Sequence, residues 1–231
     1  MKFILTLILA LSVSAISAQG VTIAGSDSPL SRAGNASLSS YGVSAVAYNP
    51  KKTISGSVHL FKNWKNYAVI ITLEDQNFSL NNINLNIERN TFESKIPGDS
   101  IFTFNFNNID KFVINNKVFK NYYHNNGNRV FEMIYQSDEF SILKGYRVQL
   151  VEGSTNPMVN RKNSKFVQRS SYYLKKGNDI KSFKLSKKRV LGLIQGNQER
   201  IKKIEQYVND NRLSYKKASD VQRMLAFSSS N

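Results

Sequence analysis

From about residue 55 the chain falls into short runs in which apolar and polar side chains alternate, the pattern of strands with two unlike faces. Residues 67–73 form a β-branched apolar run suited to a buried strand. Ile83, Leu85 and Ile87 alternate with Asn82, Asn84, Asn86 and Glu88, which predicts a strand with one wet face. Phe102, Phe104 and Phe106 repeat the device with large rings. Asn115-Asn116, Asn126-Gly127 and Gly177-Asn178 mark hairpin turns, since Asn and Gly tolerate positive φ. Further strands are expected at 140–143, 146–150, 165–174 and 180–185. Strand candidates at hairpin spacing predict a mainly β (α+β) fold, an antiparallel sandwich or partly open barrel over residues 55–185.

The period changes at residue 186. Ser186 stands as a cap before 187–194, with Gly196 as its stop, and Asn197 as a cap before a second helix. In that helix Ile201, Ile204 and Val208 share a stripe, while Arg200, Lys202 and Lys203 point elsewhere. Ser219 to Gln222 has capping-box spacing before Met224 and Leu225. Residues 186–231 are thus expected to be short amphipathic helices packed on the β domain.

The N-terminal part reads differently. Residues 1–18 combine Lys2, an apolar run and a small-residue end, the layout of a cleaved export signal. The run is too short for a comfortable bilayer span, and no later segment reaches the ~18 apolar residues a span needs. Residues 19–54, rich in Ser, Gly and Ala, show no trusted periodicity and are expected to form a flexible segment. The mature chain is expected outside the cytoplasm, in the periplasm or beyond.

Several motifs, Phe61-x-x-Trp64, Asn84-Leu85-Asn86-Ile87, Phe92-Glu93-x-Lys95, Asp99-Ser100-Ile101, residues 108–112 and the basic run FKLSKKRVL at 183–191, resemble a broad set of small exported proteins of Bacteroidetes-type bacteria. The resemblance covers about residues 57–227 and rests on structural motifs. It implies an exported β-rich protein and, the family having no assigned activity, transfers no catalytic residue. Asp99-Ser100-Ile101 also matches a short O-glycosylation acceptor pattern of that lineage.

Composition narrows the chemistry. The 231 residues contain no Cys and two His, His59 and His124, which excludes disulfides, thiolate zinc sites and Cys nucleophiles. No cofactor is implied. A hydrolase needs a nucleophile and base or paired carboxylates, but Ser28 and Ser31 lack a Gly-x-Ser-x-Gly elbow. His59 is read as a partly buried structural residue and His124 as a turn residue. They would be the residues to test if the chain were a hydrolase with an unfamiliar site. Asp138-Glu139 and Glu74-Asp75 read as turns. Asp99, Asp110 and Asp138 lie in no calcium-loop pattern. The 27 asparagines are attributed to wet strand faces and turns, and the tyrosines at 122, 123, 135, 146, 172 and 173 to cross-strand pairs.

Charge is the remaining signal. The chain carries a net +16, and residues 156–231 hold 18 basic against 5 acidic side chains. Lys175-Lys176, Lys187-Lys188-Arg189, Lys202-Lys203 and Lys216-Lys217 recur there. A helix docked through its apolar stripe turns such residues to solvent, giving a positive face that attracts anions. The expectation is a non-enzymatic envelope protein. Lys187, Lys188, Arg189, Lys202 and Lys203 would draw it to an acidic envelope protein or an anionic glycolipid surface. Nucleic acid is disfavoured by export and by the lack of a binding motif. The alternative is a carrier of an apolar, lipid-like ligand with Phe102, Phe104 and Phe131 lining the β interior.

Overall fold

A computed structural model describes residues 42–46, 54–96, 100–154, 163–194 and 198–230. The expected export signal, the Asp99 of the glycosylation pattern, and the Gly196 stop and Asn197 cap lie outside them. The described residues form a mainly β protein of two antiparallel sheets with a helical C-terminal segment. In chain order the strands are β1 (Gly42–Val46), β2 (Ala68–Thr72), β3 (Asn77–Leu80), β4 (Ile83–Asn86), β5 (Thr91–Ile96) and β6 (Ser100–Phe104). They continue with β7 (Ile109–Ile114), β8 (Lys117–His124), β9 (Gly127–Gln136), β10 (Ser141–Val151), β11 (Lys165–Lys176) and β12 (Asp179–Ser182). Helices α1 (Lys187–Leu191), α2 (Gln198–Asp210) and α3 (Ala218–Ser230) follow.

The larger sheet runs β12-β11-β10-β9-β8-β7-β2-β3 and the smaller β1-β6-β5-β4. Asparagine builds the hairpins. Asn115 and Asn116 turn β7 into β8 with φ of +48° and +64°, and Gly177, at φ +54°, opens the β11–β12 turn. The β8–β9 turn is made by Asn125 and Asn126 rather than Asn126-Gly127, with His124 opposite Gly127 closing it.

One face of the larger sheet carries two cores side by side. Under the smaller sheet, Phe112 and Phe119 meet Phe92, Phe102 and Phe104, with Phe92 stacked on Phe112 at 4.0 Å between ring centroids. Under the helices, Ile134, Ile142 and Leu174 meet Val190, Ile204, Val208, Val221 and Met224. The helical stripe over Ile204 and Val208 is therefore used as the sequence predicts. The opposite face of the sheet holds a smaller cluster around Phe131, Leu143 and Ile180.

Four local readings are corrected. First, β1 lies within residues 19–54 and pairs with β6, Val43 opposite Thr103, so that stretch is not uniformly without regular structure. Second, 140–143 and 146–150 are not two strands but parts of one, β10, which runs through Gly145. Glycine there gives room rather than a break. A Cβ would stand 2.9 Å from Tyr173 Cε2 and 3.1 Å from Phe131 Cε1. Third, Asn84 and Asn86 face no water. They are buried because residues 58–60 pair along the edge of β4, His59 bridging Asn86 with Leu60 N–H donating to Leu85 O and Ile87 N–H to Val58 O, and residues 61–63 then fold over that side of the smaller sheet. The Asn84 amide accepts from Phe61 N–H and donates to the carbonyls of Phe61 and Asn63, replacing water for that segment.

Last, the ends of the helices differ from the caps expected. Ser186 holds the position before α1 without a side-chain hydrogen bond. Before α3 the Ser219 box is absent, because the helix begins one residue earlier. Instead Asp220 reaches back to accept from Ser214 N–H at 3.0 Å, fixing the α2–α3 loop.

Candidate functional site

The positive surface is built by alternation and helix facing. After β12 the chain leaves the sheet at Phe183, whose N–H donates to Tyr172 O at 2.8 Å. Phe183 and Leu185 then enter the helical core, so Lys184 between them is turned to solvent. In α1 only Val190 is buried, which leaves Lys187, Lys188 and Arg189 outside. In α2, burial of Ile204 and Val208 leaves Lys202 and Lys203 exposed. Lys216 projects from the loop that Asp220 holds.

Three of these cations converge. Lys184, Arg189 and Lys216 line an open groove of about 500 Å³ together with Ser171, Tyr172 and Ser182. Among the described residues no carboxylate lines it. The hydroxyl of Tyr172 titrates above the usual phenol range, first because it is partly buried and second because Glu132 is near, so it stays a protonated donor or acceptor. Lys144 lies over the same ring, 6.0 Å from its centroid.

Of the residues nominated from sequence, Arg189 alone enters the groove. Lys187 is paired with Glu205 at 2.7 Å, which raises its pKa and offsets its field locally. Lys188, Lys202 and Lys203 are exposed but do not line the groove. Lys216 stands in sequence only as half of a basic doublet and Lys184 only as part of the basic run 183–191. The buried-exposed-buried alternation at 183–185 is the signal that reveals Lys184; nothing in the sequence places the Lys216 loop beside β11.

The proposed cavity rings are not brought together. Phe102 and Phe104 touch each other edge-on at 4.8 Å and belong to the core between the sheets. Phe131 is on the opposite face, in T-shaped contact with Tyr173 at 5.3 Å and with Arg129 over its ring. A single cavity lined by all three is therefore not formed.

Both histidines are engaged. His59 Nε2 lies 2.8 Å from Glu93 Oε2, and Asn86 Nδ2 donates to Glu93 Oε1 at 2.9 Å. Arg89 approaches the same carboxylate at 3.5 Å, and Glu93 itself is only 1% exposed. Burial alone would push this carboxyl up. The hydrogen bonds from His59 and Asn86 and the charges of His59 and Arg89 outweigh it, holding the carboxyl below its ordinary value. This network pins the crossing segment to the smaller sheet. In sequence Glu93 stands out only within the Phe92-Glu93-x-Lys95 motif, since a carboxylate in a strand does not announce its burial. His124 ends β8 and packs edge-on against Phe131 and Tyr173. Its pKa is lowered by partial burial and then by Arg129.

A second cavity, of about 300 Å³, lies beside α3, with Asp138, Glu139 and Arg200 among its lining residues. The two acids occupy the β9–β10 turn, as their adjacency predicts. Among the described residues no cluster of three or more His, Cys, Asp or Glu is placed to hold a metal ion, and no helix is long and apolar enough to cross a membrane.

These features define the chain as a two-sheet antiparallel β protein with a helical cover and a basic groove at their junction. Comparison with protein-family models, curated proteins and solved structures finds no match for it. Its function is thus to be read from its own side chains.

Proposed function

We propose that the chain is an exported envelope protein that acts by binding rather than catalysis, holding an anionic partner on its basic C-terminal region. The observation that carries this reading is the convergence of Lys184, Arg189 and Lys216 on one open groove that no carboxylate lines among the described residues. Cations from a linker, a helix and a loop oblige an anion to bridge separate elements, which a scatter of solvated lysines does not do. Hydroxyls of Ser171, Ser182 and Tyr172 stand in the same groove and can donate to its oxygens. Export is supported by the pattern of residues 1–18.

The test is co-sedimentation of the chain with envelope membranes, and titration with polyphosphate, across a salt series. Charge reversal at Lys184, Arg189 and Lys216 together is expected to abolish both, and wild-type binding to fall steeply with salt. Reversal of Lys202 and Lys203, outside the groove, is the comparison. Equal losses in the two variants would refute the groove as the site and leave only a diffuse surface charge.

A further inference from the structure

The groove adjoins a strand edge that the fold leaves open. Strand β11 spans Lys165–Lys176 and pairs with β10 from Lys165, opposite Val151, to Lys175, opposite Ser141. On its other side β12 pairs only with Tyr173 to Lys176. At the opposite end Ser55 bridges Lys165, with Phe166 N–H donating to Ser55 O at 2.8 Å. Gly56, at φ +85°, allows this approach, since any side chain there would meet the Phe166 carbonyl. Between these two attachments the edge has no backbone partner among the described residues; the Gln168 side chain donates to Ser57 O at 3.0 Å and to His59 O at 2.6 Å, so residues 57–59 lie beside its first part and the backbone is open toward Ser170 and Tyr172.

The direction of the free groups follows from the attached ones. Phe166 N–H and Tyr172 C=O both point to the β12 side of the strand, since they bond Ser55 and Phe183. Residues of the same parity point the same way, so the N–H and C=O of Gln168 and Ser170 also face outward. Gln168, Arg169 and Ser170 are exposed. The gap from Phe166 to Tyr172 is about 20 Å at ~3.3 Å per residue, enough for a short added strand.

Resting on the groove reading above, we propose that this edge takes up an extended segment of a partner protein as an added strand, with acidic side chains at alternate positions. An added strand would continue the line of β12 past Ser182, beside the groove. Alternate residues would face the helix side, where Lys184, Arg189 and Lys216 stand, while the intervening ones would lie over the other face. Recognition by an open sheet edge has this division of labour: main-chain bonds hold the segment and alternate side chains select it. Exposed edges invite self-pairing, and the positive charge at this one, including Arg169 on the strand itself, disfavours a second copy and favours an acidic guest.

The probe is a labelled peptide of alternating Asp and Val, titrated against the full chain, with polyphosphate as an anion that has no amide groups. Ser170→Pro removes one outward N–H and leaves the β10 ladder intact, a substitution an edge tolerates; Ser170→Ala controls for the side chain. Ser170→Pro is expected to weaken the peptide by about tenfold and polyphosphate by less than about twofold. Reversal of the three groove cations is expected to abolish both. If Ser170→Pro leaves the peptide affinity within about twofold, or if the peptide does not bind while polyphosphate does, edge addition is overturned and the groove reading stands. If neither probe binds, both fall. Should circular dichroism show Ser170→Pro misfolded, the same peptide N-methylated at alternate amides replaces it. Unchanged affinity for every methylated register overturns the proposal, and loss in one register supports it.

Discussion

Glu93 offers the sharpest test of how the crossing segment is held. Its carboxylate accepts from Asn86 at 2.9 Å, pairs with His59 at 2.8 Å and sits 3.5 Å from Arg89, all while 1% exposed. Replacement by Ala leaves the buried Asn86 amide without its acceptor, while His59, 19% exposed, can turn to water. Leaving a buried polar group unsatisfied costs about 1–3 kcal/mol. At ~2–4 °C per kcal/mol for a chain of this size, the melting temperature should fall by about 2–12 °C. Replacement by Gln is milder. Its carbonyl keeps the Asn86 bond, and its NH2 meets His59 in the tautomer whose Nε2 is unprotonated, so about 1–1.5 kcal/mol is expected. The pH dependence separates charge from shape. The folded carboxyl lies below its ordinary value of 4.5, so its stabilisation is present above that pH and is lost as pH falls through the lowered folded value. The gap between wild type and Glu93→Gln in urea unfolding should therefore narrow below pH 4.5. A gap that stays constant from neutral to acid pH, or an Ala variant more stable than the Gln variant, would refute this account.

Two further predictions concern the larger sheet. Gly145→Ala forces a methyl to within 2.9 Å of Tyr173 and 3.1 Å of Phe131. It should cost about 1–3 kcal/mol in chemical denaturation, with part recovered by adding Phe131→Leu. Tyr146→Phe removes the hydroxyl that donates to Glu132, while Lys117 stays paired with the same carboxylate at 3.0 Å. It should cost about 0.5–1.5 kcal/mol by the same assay, and no loss would show that the Lys117 pair alone satisfies Glu132.

Much of the β architecture was legible because its turns are written in asparagine and glycine and its strands alternate. What escaped was whatever depended on a distant segment. Asn84 and Asn86 look like a wet face until residues 58–63 are laid along and over them, and no local pattern reports that crossing. Gly145 reads as punctuation until Phe131 and Tyr173, far apart in sequence, are seen to pack above it. Strand β1 is short and built largely of small residues, and its pairing with β6 is non-local. The site divides in the same way. Arg189 is visible as part of a basic triplet beside a buried Val190. Lys187, its neighbour, carries the same charge in sequence but is tied to Glu205 in space. Lys216 joins the groove from the α2–α3 loop, which Asp220 ties to the start of α3 by accepting from Ser214 N–H.

The two cores under one sheet bear on how the molecule opens. Strand β9 places Val130 under the smaller sheet and Ile134 under the helices, so each cover has its own apolar contacts on a shared spine. The helical cover is contiguous in sequence and touches the rest largely through one cluster, which makes it a cooperative unit able to lift before the sheets come apart. The basic groove draws its residues from both sides of that division: Ser171 and Tyr172 from the spine, Arg189 and Lys216 from the cover. An occupant of the groove would act as a clasp across the parting line, and its binding free energy would add directly to the work of lifting the cover. Occupancy would then be readable far from the groove, as slowed hydrogen exchange along α2 and α3.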